Sequence, residues 1–115
     1  MTSVTLYTRS GEFCGFASEG HSGYAASGND IVCAGISALT TTCINSLESV
    51  AGIVPKVVQR PKDAYLQALL PDELSKEQQH DAQVILKSFR QGIGDLAEQY
   101  SKFVRLSIEE WRKPK

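Results

Sequence analysis

The chain has 115 residues, of which 42% are hydrophobic, and its formal net charge at pH 7 is −1. This length predicts a single domain over residues 1–115 that can bury a core of its own. The near-neutral charge argues against nucleic acid as the main partner, because phosphate-binding domains usually carry a basic surface.

The compartment is predicted from features that the chain lacks. No apolar run approaches the roughly 18–20 residues of a membrane span. The N-terminus has neither the basic nor the apolar region of a secretory signal. We therefore expect a cytoplasmic protein away from membranes, whose three cysteines are free thiols rather than structural disulfides.

The first part of the chain predicts a β-hairpin. Residues 4–8 alternate and are rich in β-branched and aromatic side chains, which favours a strand. Gly11 can supply the positive φ of a tight turn. Residues 13–18 then form the second strand, where strict alternation places Phe13 and Phe16 on opposite faces.

A helix is predicted next, after a loop over residues 19–29 that contains few side chains able to anchor it. Asn29 or Asp30 is the predicted N-cap, because either side chain accepts hydrogen bonds from the first turn. The helix runs to about Ala51 and stops at Gly52. Its predicted buried stripe has helical spacing and consists of Val32, Ile36, Leu39, Cys43, Leu47 and Val50.

A second helix is predicted to begin between Pro71 and Ser75 and to end near Tyr100. Gly92 and Gly94 lie inside it and cost roughly 1 kcal/mol each relative to alanine, which indicates a close packing contact, a kink or a break. The predicted stripe is Ala82, Ile85, Phe89, Ile93, Leu96 and Tyr100.

Three further strands complete the predicted fold. Residues 55–60 and 64–70 flank a turn, and residues 102–108 alternate near the end of the chain. The order is therefore ββαββαβ. Two amphipathic helices on one face of a mostly antiparallel sheet would bury both stripes in one core, which is an α+β two-layer sandwich.

Cys33 is the strongest candidate for chemistry. It falls in the first turn of the first helix, where the partial positive charge and the free N–H groups favour a thiolate. It lies outside the buried stripe that contains Cys43, so we expect Cys33 to be partly accessible and Cys43 to be inert.

His21 ends the second strand twelve residues before Cys33. A loop of this length can bring the imidazole to the helix start, and a histidine within hydrogen-bond reach activates a thiol nucleophile. The free N–H groups of residues 31–33 would then be available to hold the oxyanion of a tetrahedral intermediate.

Other readings of these residues remain open on spacing alone. Cys33 can be a small core residue and His21 a surface residue; Cys14 is interpreted as an ordinary strand residue and His80 as a solvated one. A zinc site is disfavoured, because Cys33 and Cys43 are separated by roughly 15 Å of helical rise and no CxxC pair is present. A non-catalytic, ribosome-associated binding module is the alternative from another functional class.

A longer motif surrounds the two candidate residues. After Gly20-His21 and a glycine-containing loop, the chain reads Gly28-Asn29-Asp30-Ile31-Val32-Cys33-Ala34-Gly35-Ile36-Ser37. This resembles the signature of the Prp family, the ribosomal-processing cysteine proteases, whose pattern is a Gly-His, a short loop and Gly-x-Asp-Ile-Val-Cys-Ala-x-x-Ser. The size and the element order are also similar to those of the family.

The resemblance implies a function and roles for residues. It implies a homodimeric, metal-independent cysteine endopeptidase without a cofactor, which removes the N-terminal extension of large-subunit ribosomal protein number twenty-seven. In the family, that extension typically ends in aromatic residues followed by a small one. Cys33 would be the nucleophile and His21 the general base.

Five further residues are predicted to support substrate binding or the site. Gly20 and Gly28 would flank a flexible loop, and Tyr24 would be either a lid residue or an anchor of that loop. Asp30 is interpreted as the N-cap, and Ser37 as a hydrogen-bonding neighbour one turn after Cys33.

Overall fold

The computed structural model describes residues 1–26 and 28–112 and has the predicted order ββαββαβ. The α+β class predicted from the sequence is confirmed. The elements are β1 (Thr2–Arg9), β2 (Glu12–Glu19), α1 (Ile31–Ser49), β3 (Lys56–Arg60), β4 (Tyr65–Leu69), α2 (Lys76–Gln99) and β5 (Val104–Glu110), with a 3-10 turn at Pro61–Asp63 between β3 and β4.

The five strands form one sheet in the order β3-β4-β2-β1-β5. β5 runs parallel to β1, while the β1–β2, β2–β4 and β3–β4 pairs are antiparallel. Buried side chains of the strands and of both helices form one hydrophobic cluster. The two helices therefore make one layer and the sheet the other, as expected for a two-layer sandwich.

The predicted helical stripes differ from the structure at three positions. Val50 is 68% exposed, because α1 ends at Ser49 and Val50 is only its C-cap residue. Thr40 is buried in the stripe instead, and its hydroxyl donates to the Ser37 carbonyl, which satisfies the buried polar group within the helix. On α2, Leu86 is fully buried, a position that the predicted stripe omits.

The predicted faces of β2 are also wrong, because the strand contains a β-bulge. Tyr7 pairs with Gly15 and Thr8 with Phe13, so Cys14 has no partner opposite it. An extra residue reverses the alternation, and Phe13 packs against the same cluster that contains Phe16.

The helix α1 is long and apolar enough to cross a membrane by length and composition alone. The sequence prediction did not single out this segment, because serine, threonine and asparagine residues interrupt its apolar residues. Its apolar side chains Val32, Ile36, Cys43 and Leu47 are buried among those of the sheet and α2. We interpret α1 as the core helix of the sandwich, which passes the same test.

Candidate active site

Cys33 lies in the first turn of α1, where one end of the loop after β2 is fixed. Asp30 is the N-cap, and its Oδ1 accepts hydrogen bonds from the backbone N–H groups of Val32 (3.0 Å) and Cys33 (2.9 Å). The thiol of Cys33 is half-buried, whereas Cys43 is 3% exposed. Burial raises the pKa of Cys43 to about 12, which disfavours a thiolate there at neutral pH.

Gly20 fixes the other end of the loop. Its φ is +88°, and a Cβ at this position would lie 2.6 Å from the carbonyl oxygen of Met1. The Gly20 N–H donates to the Ala64 carbonyl at 3.2 Å, and its own carbonyl accepts the Thr2 hydroxyl at 3.1 Å. Only glycine combines this conformation with so close an approach, and His21 follows directly from this fixed point.

His21 and Cys33 come together at the walls of two adjoining cavities. One has a volume of about 290 Å³ and the other about 430 Å³, and both residues line both of them. His21 is exposed and Cys33 half-buried. Among the described residues, no hydrogen bond joins the imidazole to the thiol; the Cys33 Sγ instead accepts the Ser22 N–H at 3.3 Å.

The Asp30 carboxylate ties the loop to the helix. Beyond the two N–H groups of the first turn, its Oδ2 accepts the Ser22 hydroxyl and the N–H groups of Tyr24 (3.2 Å) and Ala25 (3.4 Å). Burial by itself would raise the pKa of Asp30. Hydrogen bonds from the Ser22 hydroxyl, the Cys33 and Ala25 N–H groups and the Cys33 thiol outweigh it, so the pKa lies well below its usual range.

The expectation that the helix start offers free N–H groups to an oxyanion is wrong for two of its three residues. The N–H groups of Val32 and Cys33 are both engaged by Asp30 Oδ1. The first turn of a helix has orphan N–H donors, but the N-cap side chain itself satisfies some of them.

The Tyr24 ring packs the loop against the C-terminal end of α2 and the start of β5. Its ring makes edge-to-face contacts with Tyr100 (centroids 5.6 Å apart) and Phe103 (5.4 Å), at the junction of α2 and β5. Together with Asp30, this contact supplies the anchors that the composition of the loop did not predict. In this conformation the Tyr24 ring packs against Tyr100 and Phe103, and the choice between a lid and an anchor stays a prediction.

The other predicted supporting residues have distinct surroundings. Ser37 lines both cavities one turn after Cys33, and Gly28 lines only the larger one. Cys14 is half-buried, and it lies in a separate cavity of about 240 Å³. His80 is exposed and lies 3.2 Å from the Asp81 carboxylate.

Sequence reasoning missed Ser22. This residue is 2% exposed and contacts both Cys33 and Asp30. Its position next to His21 was the one signal available, since a small polar residue in a glycine-rich loop has no spacing that distinguishes it.

The smaller cavity runs from Cys33 towards the β3–β4 hairpin. Its walls combine apolar side chains with buried hydroxyls, which suits an extended peptide that needs both side-chain pockets and hydrogen bonds. The lining residues beyond those already placed include Ile36, Tyr65, Leu66, Thr2, Ser18 and Gln59.

Known proteins resemble this chain over most of its length. A curated relative from Bacillus subtilis (strain 168), the ribosomal processing cysteine protease Prp, is 25% identical over 92 residues, which are 80% of this chain and 82% of the relative. A crystal structure of a Streptococcus mutans protein is 27% identical and superposes with a TM-score of 0.81, covering 96% of each chain.

The fold is also that of the Staphylococcus aureus protease Prp. The structure of that protein with a covalently linked product peptide has a TM-score of 0.82 at 24% identity, and covers 94% of this chain and 99% of its own. A structure of the same protein with a substrate peptide gives a TM-score of 0.78 at 22% identity. The family model described as cysteine protease Prp matches residues 1–105. The chain therefore belongs to the Prp family of cysteine proteases.

Proposed function

We propose that this protein removes the N-terminal extension of large-subunit ribosomal protein number twenty-seven, with Cys33 as nucleophile and His21 as general base. The observation that carries the assignment of residues is their shared position: both side chains line both cavities of one cleft. Cys33 is half-buried there, so its sulfur is open to a substrate carbonyl.

The proposed reaction uses the two residues in turn. His21 takes the proton of the Cys33 thiol, and the thiolate attacks the scissile carbonyl carbon to form a tetrahedral intermediate. The C–N bond breaks as the imidazolium returns its proton to the leaving amine, which leaves a thioester on Cys33. His21 then deprotonates a water molecule that hydrolyses the thioester and restores the thiol.

No hydrogen bond between His21 and Cys33 is needed in the unbound protein for this assignment. Hydrogen bonds of catalytic pairs are often long before substrate binds and tighten in the complex. The exposed imidazole of His21 at the start of the loop has room to turn towards the sulfur.

The cleft supports a peptide as the substrate. The two cavities adjoin at Cys33, so an extended chain can pass across the sulfur with residues in each. Ile36, Tyr65 and Leu66 give the smaller cavity an apolar wall that suits an aromatic side chain next to the cleaved bond. The Staphylococcus aureus relative has been crystallised with a substrate peptide.

The wider assignments belong to the same proposal. Residues 1–115 form a single Prp-like protease domain that works in the cytoplasm without a metal ion.

We infer that it acts as a homodimer through an apolar groove of about 290 Å³ between α1 and α2, which Val50 and Val84 border with exposed side chains. Contiguous exposed apolar surface of this kind usually marks an interface, and light scattering on the purified protein tests the dimer.

Cleavage of the purified ribosomal protein precursor, followed by mass spectrometry of the products, tests the function. The wild type should release the extension as one peptide. Cys33→Ala should leave the precursor intact, and His21→Ala should slow cleavage by roughly 10²–10⁴-fold, because a positioned general base contributes about that much.

The matched control is Cys14→Ala, which removes a half-buried thiol in a separate cavity and should keep wild-type cleavage. Iodoacetamide should label Cys33 faster than Cys14 or Cys43. Full cleavage by Cys33→Ala would overturn the proposed nucleophile. Three equally slow cysteines together with an uncut precursor would instead favour the ribosome-associated binding module.

A further inference from the structure

The backbone N–H of Ser22 points at the sulfur of Cys33. The nitrogen lies 3.3 Å from Sγ, and Ser22 is 2% exposed. Ser22 directly follows His21, so one short stretch of loop places both an imidazole and a hydrogen-bond donor beside the same thiol.

Four neighbouring backbone donors are already committed to other acceptors. Asp30 Oδ1 holds the N–H groups of Val32 and Cys33, and Oδ2 holds those of Tyr24 and Ala25. A substrate oxygen could use these groups only by displacing a carboxylate, and hydrogen bonds to charged acceptors are the stronger ones. The Ser22 N–H has no such competitor, because its acceptor is the reacting sulfur itself.

We propose that the Ser22 backbone N–H is an oxyanion donor of this protease. The proposal rests on the proposed function, in which Cys33 attacks the scissile carbonyl. When the S–C bond forms, the π electron pair of the carbonyl moves to its oxygen, which is bonded to the carbon that the sulfur has just joined. A donor directed at the sulfur is therefore beside the new oxyanion, and its hydrogen bond passes from Sγ to that oxygen.

The same donor serves both halves of the reaction. The first intermediate collapses when the oxygen's electron pair re-forms the carbonyl and expels the amine. Water attack on the thioester creates a second oxyanion at the same place, and its collapse expels the Cys33 thiolate. The Ser22 N–H gains or loses no proton in either step, so the proton balance remains with His21.

The Ser22 side chain holds this donor in position. Its hydroxyl donates to Asp30 Oδ2 and accepts the Tyr24 N–H at 3.2 Å. A donor that is fixed before the charge develops needs no reorganisation in the transition state, which is why preorganised donors are effective. Asp30 thus caps the helix of Cys33 and, through Ser22, orients the donor beside it.

The test compares two variants that differ by one N–H group. Ser22→Ala keeps the backbone N–H and removes the hydroxyl. Replacement of Ser22 by L-lactic acid, introduced by ligation at Cys33, has the same methyl side chain but an ester oxygen in place of the N–H. Single-turnover acylation by a cleavable peptide is measured for both, alongside alkylation by iodoacetamide, at a pH where alkylation has reached its plateau.

We expect the ester variant to acylate roughly 10²–10³-fold more slowly than Ser22→Ala, the usual loss for one oxyanion donor. Its plateau alkylation should match that of Ser22→Ala, because alkylation forms no oxyanion. Equal acylation rates in the two variants overturn the proposal.

A second measurement, on the wild type, tests the proposal even if the ester variant does not fold. A peptide aldehyde adds to a thiolate to give a tetrahedral hemithioacetal, whose oxygen imitates the oxyanion. With ¹⁵N-labelled protein, the Ser22 amide proton should move strongly downfield in the adduct, and an unmoved signal overturns the proposal. If mass spectrometry finds no adduct on Cys33, the proposed nucleophile is wrong instead, and the oxyanion assignment falls with it.

Discussion

The carboxylate of Asp30 connects the start of α1 to the loop that contains His21. It accepts hydrogen bonds from the Val32 and Cys33 N–H groups on the helix side, and from Ser22 and Tyr24 on the loop side. Burial opposes the charged form, but hydrogen bonds from Ser22, Cys33 and Ala25 favour it, so the pKa of Asp30 is depressed in the folded protein. A depressed carboxyl pKa makes folding stability depend on pH.

The pH dependence of stability follows from the lowered pKa of Asp30 in the folded protein. The contribution of Asp30 is fully present above its unfolded pKa, about 3.9, and is lost as the pH falls through the lower folded value. Asn remains a good N-cap but has no charge to lose. The difference in melting temperature between wild type and Asp30→Asn should therefore be largest at pH 6–7 and shrink steadily below about pH 4.

Thermal unfolding followed by circular dichroism between pH 7 and pH 3 measures this gap. Asp63→Asn provides the matched control, since this exposed carboxylate pairs with Arg60 at the protein surface and surface pairs contribute little. A gap between wild type and Asp30→Asn that stays constant over the whole range would contradict the assignment.

The sequence predicted that Cys33 and His21 are the candidate catalytic residues, but not the hydrogen bonds around them. A specific motif surrounds Cys33 and His21, and Asp30 was recognisable as a cap because its side chain acts locally. The contacts of Ser22 depend on how a loop with three glycines closes onto the helix. No local propensity encodes that closure, so the hydrogen-bond partner of the Cys33 sulfur is determined by the tertiary structure.

The helix α2 contains two glycines whose structural roles the sequence left open. Gly92 and Gly94 indicated a contact, a kink or a break, but α2 runs without interruption from Lys76 to Gln99. A Cβ at Gly92 would meet the side chain of Leu39 at 2.8 Å, whereas one at Gly94 would have only an ordinary contact with Leu106 at 3.7 Å. Close packing of α1 on α2 therefore explains the first glycine and not the second.

This asymmetry predicts opposite effects of one substitution at two neighbouring positions. Gly94→Ala should raise the free energy of unfolding by about 0.5–1 kcal/mol, because alanine is the better helix former and nothing has to move. Gly92→Ala gains the same propensity but overpacks the helix contact at a cost of about 1–3 kcal/mol. We expect a net loss of about 1 kcal/mol for Gly92→Ala.

Urea unfolding at one temperature measures both variants, and each serves as the control for the other. A stabilisation of similar size in both would mean that Leu39 turns aside freely and that the helices do not need the glycine. Destabilisation by Gly94→Ala would contradict the ordinary contact with Leu106.

The element order was predictable because each segment has its own periodicity, but the bulge in β2 was not. Strict alternation predicted that Phe13 and Phe16 lie on opposite faces of β2. Because Cys14 has no partner in the bulge, both phenylalanines face the core. The Gln83 side chain exchanges two hydrogen bonds with the backbone of Phe13. A bulge held by a helix residue 70 positions away is a tertiary feature, and no local window contains it.

In the whole molecule, the candidate site lies where the sheet and the helices meet the loop between β2 and α1. His21 follows β2, and Cys33 lies in the first turn of α1. The ring of Tyr24 holds the intervening loop against the junction of α2 and β5. Regions held by few contacts open with a free energy far below that of global unfolding. Because Tyr24 is 43% exposed, we expect its two edge-to-face contacts to limit local opening of this loop more than they stabilise the core.

Removal of this anchor should loosen the loop alone. An aromatic pair contributes about 0.5–1.5 kcal/mol beyond its buried area, so loss of about 1 kcal/mol in Tyr24→Ala should speed amide exchange in residues 21–26 about fivefold. Tyr24→Phe keeps the ring and should exchange like the wild type. The melting temperature should be nearly the same in both, because the core cluster does not include Tyr24. If exchange in the loop of Tyr24→Ala is unchanged, then Asp30 alone holds the loop and the aromatic contact is incidental. If Tyr24→Ala instead lowers the melting temperature as strongly as a core substitution, Tyr24 stabilises the whole fold and not only the loop.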